Sequence, residues 1–172
     1  MRILLLFLAI TLLTFDRDEI VITHKSITVS GMTSIGSFNC DYSRNSLQDT
    51  LFFNNENIGD HFIFAIPVGE FSCGNFMLNR DFKKTIKAEA YPQAKVTVKN
   101  LNGKADKYTC DLEVDLAGKQ LKYHKVKLIK TNRSFITSLA LNFDELELQA
   151  PSRMGGLVKV DEKLDLEIEL GF

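Results

Sequence analysis

The three histidines of this chain are its best candidates for acid–base or metal chemistry, but they lie far apart. His24, His61 and His124 stand beside no cysteine, serine or carboxylate in a recognised catalytic pattern. The GxSxG nucleophile elbow, the HExxH zinc motif and a glycine-rich phosphate loop before a helix are all missing from the sequence. We therefore expect strand-end or surface histidines, no metal and no enzyme activity, with His61 as the one candidate for a buried catalytic group.

The three cysteines predict a disulfide rather than a metal site. Cys40, Cys73 and Cys110 form no CxxC or Cys/His cluster, so structural zinc is not expected. Cys110 shares the apolar side of an alternating segment with Leu112 and Val114, which predicts a buried free thiol. Cys40 and Cys73 lie at the ends of neighbouring strand candidates. We favour a bond between them, which would stabilise the fold by about 3–4 kcal/mol in the loop-entropy model.

The charged side chains are balanced and lie on strand faces. Lys and Arg number 21 against 22 Asp and Glu, and the net charge of −1 does not fit a nucleic-acid-binding protein. Asp165, Glu167 and Glu169 occupy alternate positions of one segment, which predicts a solvated outer face. Another segment carries four lysines that predict an exposed face, with anionic lipid head groups as the sharper alternative: Lys122, Lys125, Lys127 and Lys130.

The elements that must position these residues follow from a pattern with a period of two. Apolar residues alternate with polar ones over residues 94–99, 108–116 and 164–170. Because successive side chains of a strand point to opposite faces, each segment is half-buried, as in an antiparallel sheet. Turn signals separate about eight such segments, which predicts an all-β sandwich or barrel. Residues 75–90 break the pattern and predict a helical insertion that stops before Pro92.

The N-terminal residues predict export. Arg2 is followed by an apolar run over residues 3–13, which is typical of a secretory signal peptide and too short for a transmembrane helix. We assign residues 1–15 to this segment, cleaved or retained as an anchor, and residues 16–172 to one β domain. A periplasmic or secreted protein is expected.

Phenylalanine is unusually abundant, with 13 Phe and no Trp. An eight-stranded barrel can fill its interior with its own side chains or hold one small ligand. The sequence pattern alone leaves both arrangements open.

Three stretches resemble the YceI-like family of periplasmic, lipocalin-like polyisoprenoid-binding proteins. Residues 86–96 resemble the family's passage from helix to strand through Tyr91-Pro92, and residues 112–119 resemble its strand that ends in a glycine turn. Residues 142–170 resemble its C-terminal hairpin. The family's Arg-Asp-x-His helical motif is reduced to Arg80-Asp81, with Lys83 at the histidine position.

The resemblance implies an eight-stranded antiparallel lipocalin-like barrel, a helix beside one end, and an apolar tunnel. Non-enzymatic binding and transport or sequestration of an isoprenoid or other long-chain lipid is the expected function. The alternative is a structural or interaction barrel with a filled interior. No cofactor is expected apart from bound isoprenoid or fatty-acyl lipid, membrane contact is expected only transiently during lipid delivery, and a homodimer stays open. Fifteen inward apolar residues are the predicted lining: Phe62, Phe64, Ile66, Phe71, Phe76, Phe82, Val96, Val98, Leu112, Val114, Phe135, Leu139, Phe143, Leu166 and Ile168.

Overall fold

The structure is a computed structural model that describes residues 18–53, 62–104, 107–153, 155 and 157–172. His61 and the apolar run at the N-terminus lie outside these residues. The described elements are β1 (Asp18–Thr33), β2 (Gly36–Phe53), β3 (Phe62–Pro67), a short 3-10 helix (Val68–Glu70), α1 (Phe76–Thr85), β4 (Gln93–Lys104), β5 (Lys107–Leu116), β6 (Lys119–Lys130), β7 (Ser134–Asn142), β8 (Ser152–Arg153) and β9 (Val158–Gly171).

Eight of these strands form one antiparallel sheet that curls into a nearly closed barrel. The strand order is β2-β1-β9-β7-β6-β5-β4-β3, and the two-residue β8 pairs with β9 outside this path. The alternating pattern places apolar side chains inside: on β9, Leu164, Leu166 and Ile168 are buried, while Asp165 and Glu167 are exposed. The predicted antiparallel barrel with a helical insertion is confirmed.

The β1–β2 hairpin is longer than the sequence pattern indicates. The sequence pattern predicts a strand over residues 34–42 and a separate short one near residues 50–54, but β2 runs without interruption from Gly36 to Phe53 and pairs with β1 over almost its whole length. A register shift between Ile22 and His24 and a positive φ at Ser46 accommodate the polar central stretch. Such a bulge hides the period of two without ending the pairing.

The barrel closes between β2 and the chain that follows β3. Asp41 and Ser72 exchange two backbone hydrogen bonds of 2.9 Å, as an isolated bridge. The neighbouring residues Cys40 and Cys73, the pair that the sequence favours, form a disulfide across the same seam. The third cysteine, Cys110, is a buried free thiol whose pKa is raised to about 12 by burial first and by Asp111 second.

A second weak boundary lies between β6 and β7. Among the described residues, their ladder consists of Ile129 opposite Ile136 and Lys130 opposite Phe135. Beyond it, the Tyr123 hydroxyl donates to the carbonyl of Ala140 at 3.2 Å, and the Thr137 hydroxyl donates to the carbonyl of Lys127 at 2.9 Å. Side chains therefore take over part of the bonding that backbone groups provide in a regular sheet.

Two of the sequence stretches that resemble the YceI-like family meet in the structure. Gly118 forms the β5–β6 turn with a φ of +81°, where a side chain would be strained. A Cβ at this position would lie 2.5 Å from the ring of Tyr91, the residue before Pro92. The glycine therefore permits both the turn and the packing of the tyrosine ring over it.

Candidate functional site: an apolar cavity beneath the helix

An apolar cavity lies between α1 and one end of the barrel. Its volume is about 660 Å³, which falls within the usual range for small-molecule sites. We call it the mouth cavity. Its wall is formed by Thr33, Ile35, Gly36, Ser37, Phe38, Asn75, Met77, Leu78, Asp81, Phe82, Thr85, Ile86, Phe143, Pro151, Val160 and Leu164.

Local hydrogen bonds fix both ends of α1. The Asn75 side chain accepts a bond of 2.9 Å from the amide of Leu78 and so caps the N-terminus. At the C-terminus, Lys87 adopts a φ of +55°, and the amides of Lys87 and Ala88 donate back to Lys84 and Lys83. This is the Schellman arrangement, and it ends the helix before the predicted limit at residue 90.

The inner face of α1 is the apolar roof of the mouth cavity. Leu78, Phe82 and Ile86 are spaced four residues apart and therefore lie on one side of the helix. Phe82 stacks against Phe71 at a centroid distance of 5.3 Å, which joins the helix to the segment after β3.

Two smaller apolar spaces continue inward from the mouth cavity. The middle cavity has a volume of about 50 Å³ and shares Phe82, Ile86 and Leu164 with the mouth cavity. The inner cavity has a volume of about 30 Å³ and shares Val96 and Ile168 with the middle one. The three spaces therefore form a file in which each shares wall residues with the next. Most of the interior between them is filled.

Most of the predicted lining residues border these three spaces. Phe82 and Phe143 border the mouth cavity. Seven border the middle cavity, namely Ile66, Phe71, Phe82, Val96, Val114, Leu166 and Ile168. Six border the inner cavity, namely Phe64, Val96, Val98, Leu112, Phe135 and Ile168.

Three predicted lining residues do not border any of these spaces. Phe62 is half-buried and packs against Phe64 at 5.5 Å, and Leu139 is buried in the core. Phe76 departs most from the expectation, because it is 81% exposed on the outer side of α1. It begins the helix six residues before Phe82, and this spacing turns its side chain away from the inward face.

Sequence reasoning missed several residues of the mouth cavity. Leu164 has the same parity as Leu166 on β9, and Leu78 lies four residues before Phe82, so both could have been found from periodicity. Phe38 has the same parity as the buried Cys40 and Tyr42 on β2, so it too could have been found, and it packs on the bare backbone of its cross-strand partner Gly31. A Cβ on Gly31 would lie 2.6 Å from the Phe38 ring and 2.8 Å from Leu164.

A buried lysine was also missed. Lys25 has the same parity as Ile27 and Val29 on β1 and is only 4% exposed. Its ammonium donates to the carbonyl of Ala65 at 3.1 Å and lies 5.0 Å from the centre of the Phe64 ring. Burial lowers its pKa, an effect that Asp49 opposes and Arg44 reinforces.

Among the residues that the structure describes, the other polar candidates form no recognisable reaction centre. His24 shares a 2.6 Å hydrogen bond with Asn45, and the exposed His124 lies 3.6 Å from Asp111. No group of three or more His, Cys, Asp or Glu side chains suited to a metal ion occurs among the described residues. Within the same residues, no helix is both long and apolar enough to cross a membrane.

The barrel order, the helix and the cavity under it define a lipocalin-like barrel with the YceI-like fold. A solved structure of BcnA from Burkholderia cenocepacia superposes with a TM-score of 0.55 at 15% identity, over 85% of this chain and 96% of that chain. A polyisoprenoid-binding domain from Saccharophagus degradans, implicated in plant cell wall breakdown, superposes with a TM-score of 0.51 at 12% identity, over 87% of this chain and 99% of that chain.

A third solved structure carries the family name itself. A mutant of the CJ YceI protein superposes with a TM-score of 0.55 at 11% identity, over 90% of this chain and 83% of that one. No family model and no curated protein matches the sequence. The resemblance stated from the three sequence stretches is confirmed in the fold.

Proposed function

We propose that the protein binds an isoprenoid or another long-chain lipid without changing it chemically, and carries or sequesters it. The observation that carries this proposal is the file of three apolar spaces, which opens through the mouth cavity of about 660 Å³. The likeness in fold to a polyisoprenoid-binding domain supports the same class of ligand.

The chemistry of such a ligand suits this site. A hydrocarbon chain needs an apolar tube, and each buried methylene contributes about 0.8 kcal/mol. The polar groups of the mouth cavity, among them Ser37, Asn75 and Asp81, lie where the head group of an inserted lipid would remain. Ligand pockets commonly combine an apolar body with a few polar groups of this kind.

Phe82 and Ile86 are the side chains through which the ligand would extend inward. Both belong to α1 or the turn that follows it, and both border the mouth cavity and the middle cavity, as Leu164 does. A change of rotamer at Phe82, or a small outward displacement of α1, would join the two spaces. In this proposal, the mouth cavity is preformed, and the middle and inner cavities open as the hydrocarbon chain of the ligand enters.

Export to the periplasm or the outside of the cell forms part of the proposal. The disulfide between Cys40 and Cys73 supports it, because such bonds persist in oxidising compartments. The apolar run after Arg2 supports it independently.

A second candidate function is that of a barrel that acts without a ligand, as a structural or interaction protein. The small volumes of the inner spaces, about 50 and 30 Å³, favour it. The two candidates differ in what the mouth cavity holds.

Organic extraction and mass spectrometry of the purified protein separate these candidates. We expect recovery of a polyprenyl or acyl lipid from the natural chain and depletion of that lipid in Thr85→Trp, which places an indole inside the mouth cavity. Ile129→Trp adds the same group at a position 65% exposed on β6 and should retain the lipid. Repeated recovery of no lipid, together with an unchanged melting temperature when farnesol is added, would leave the ligand-free barrel.

A further inference from the structure

We propose that the protein docks on an anionic membrane surface through the outer face of α1, with the mouth cavity turned towards the lipid. We call the five residues of this face the docking face: Phe76, Arg80, Lys83, Lys84 and Lys87. The inference goes beyond lipid binding, since its evidence is surface charge and exposure, although the purpose of docking rests on the proposed function.

The first step is the division of α1 into two faces. The docking face lines a shallow concavity on the outer side of the helix, while Leu78, Phe82 and Ile86 line the mouth cavity on the inner side. An amphipathic helix normally turns a mixed polar surface to water. Here the outer surface combines four basic residues with an exposed phenylalanine, which is the composition of helices that lie in a membrane interface.

The second step is the distribution of exposed apolar side chains. Phe76 and Ile35 are 81% and 79% exposed, Leu157 is 75% exposed, and Met77 is 56% exposed. Ile35 and Met77 both line the mouth cavity, and the Ser34 hydroxyl donates to the carbonyl of Leu157 at 3.0 Å. Ile35 and Met77 therefore place exposed apolar surface at the wall of the mouth cavity, while Phe76 lies on the outer side of the same helix. Concentrated exposed apolar surface marks an interaction site.

The third step is the sign of the charge. The basic residues of α1 are complementary to anionic lipid head groups, which attract clustered Lys and Arg. Asp144, Glu145 and Glu162 belong to the β7–β9 side, whereas Glu89 shares the concavity with the four basic residues and Glu147 interacts with Lys119 and Lys87. The excess of basic over acidic residues on the outer side of α1 predicts an orientation in which α1 contacts the membrane and the β7–β9 side faces water.

The occupant is a membrane rather than an acidic protein partner, because the exposed Ile35 and Met77 lie at the wall of an apolar cavity on the same helix as the basic face. A protein partner that covered these two side chains would close the mouth cavity. A bilayer places hydrocarbon directly beside it, so a lipid could pass between the two without crossing water.

Vesicle co-sedimentation of the full chain tests this proposal. We expect binding to phosphatidylcholine vesicles that contain phosphatidylglycerol, weak binding to phosphatidylcholine alone, and loss of binding at high salt. The double variant Lys83→Glu/Lys84→Glu should reduce binding roughly tenfold or more. Phe76→Ser should weaken it without changing its dependence on salt.

The matched control is Lys122→Glu/Lys127→Glu, which makes the same change in net charge on the exposed face of β6. We expect it to bind anionic vesicles as the natural chain does. Equal losses in the two double variants, or equal binding of the natural chain to neutral and anionic vesicles, would overturn the proposal. Capture of an acidic protein by a chain that binds no vesicles would also overturn it.

Failure of docking and failure of lipid binding are distinguishable. Uptake of farnesol measured without vesicles reports on the mouth cavity alone. A chain that takes up farnesol but binds no anionic vesicle contradicts the docking face only, and one that binds vesicles but takes up no lipid contradicts the proposed function only.

Discussion

The ammonium of Lys25 on β1 donates a 3.1 Å hydrogen bond to the carbonyl of Ala65 on β3 and so reaches across the seam of the barrel. In the described part of the chain, β2 and β3 share no ladder of paired residues. Lys25 therefore supplies a bond to a strand edge that has no neighbouring strand there. The Asp41–Ser72 bridge and the Cys40–Cys73 disulfide hold the seam at another level.

The stability contributed by Lys25 should depend on pH. Burial lowers the pKa of its ammonium in the folded state, so between that value and 10.5 the unfolded chain binds more protons than the folded one. The free energy of unfolding of the natural chain should therefore rise, relative to Lys25→Met, as the pH increases through this window. Below this pH window, the buried ammonium is charged in the folded state, and its burial lowers the free energy of unfolding by the full amount.

Urea unfolding of both chains from neutral pH to pH 10 measures this difference. Lys95→Met, which removes an exposed ammonium opposite Ala65 on β4, is the control and should follow the natural chain. A difference between the natural chain and Lys25→Met that stays constant with pH would refute the assignment.

The disulfide should stabilise the barrel substantially. It spans 33 residues, and the loop-entropy model gives about 3–4 kcal/mol for a loop of this length. Cys40→Ser/Cys73→Ser should lose roughly this amount in urea unfolding, and dithiothreitol should destabilise the natural chain but not the double variant. An unfolding midpoint of the natural chain that is insensitive to full reduction would contradict the expectation.

The boundary between β6 and β7 should open more readily than the centre of the sheet. Hydrogen exchange should be faster over residues 121–126 than over residues 164–170 of β9, which pair with strands on both sides. Tyr123→Phe/Thr137→Val removes both side-chain bonds across the boundary, each worth about 1 kcal/mol, and should speed exchange in β6 and β7. Uniform protection across the two regions would be inconsistent with a weak boundary.

The cap of α1 should contribute to the stability of the mouth cavity. Asn75→Ala removes the acceptor for the Leu78 amide and should cost about 1 kcal/mol in the free energy of unfolding. Asn75→Asp keeps an acceptor at the same place and should cost little. If alanine and aspartate have the same effect, capping is not the role of this residue.

The sequence predicts the barrel but only part of the candidate site. Alternation alone placed Leu166 and Ile168 inside and Glu167 outside, because the period of a strand is fixed by its backbone. The same rule would have placed Lys25 inside, and the spacing of Phe76 from Phe82 would have placed Phe76 outside. For Lys25 and Phe76 alike, the prediction followed the polarity of the side chain and not the position of the residue in its strand or helix.

The mouth cavity could not be read from the sequence. Its volume depends on the distance at which α1 packs from the barrel end, and this distance is set by tertiary contacts of the helix. The contact between the rings of Phe82 and Phe71 is an example. The spacing of these two residues in the sequence does not predict it.

The most direct test of the central claim asks whether a lipid occupies the mouth cavity. The chain has no tryptophan, so Met77→Trp introduces a single reporter at the rim of the cavity, and Ile129→Trp introduces one on the exposed face of β6. Titration with farnesol should shift the Met77→Trp emission to the blue, with saturation near one lipid per chain, and leave the Ile129→Trp emission unchanged. Unchanged emission from Met77→Trp, or the same shift in both variants, would contradict the claim.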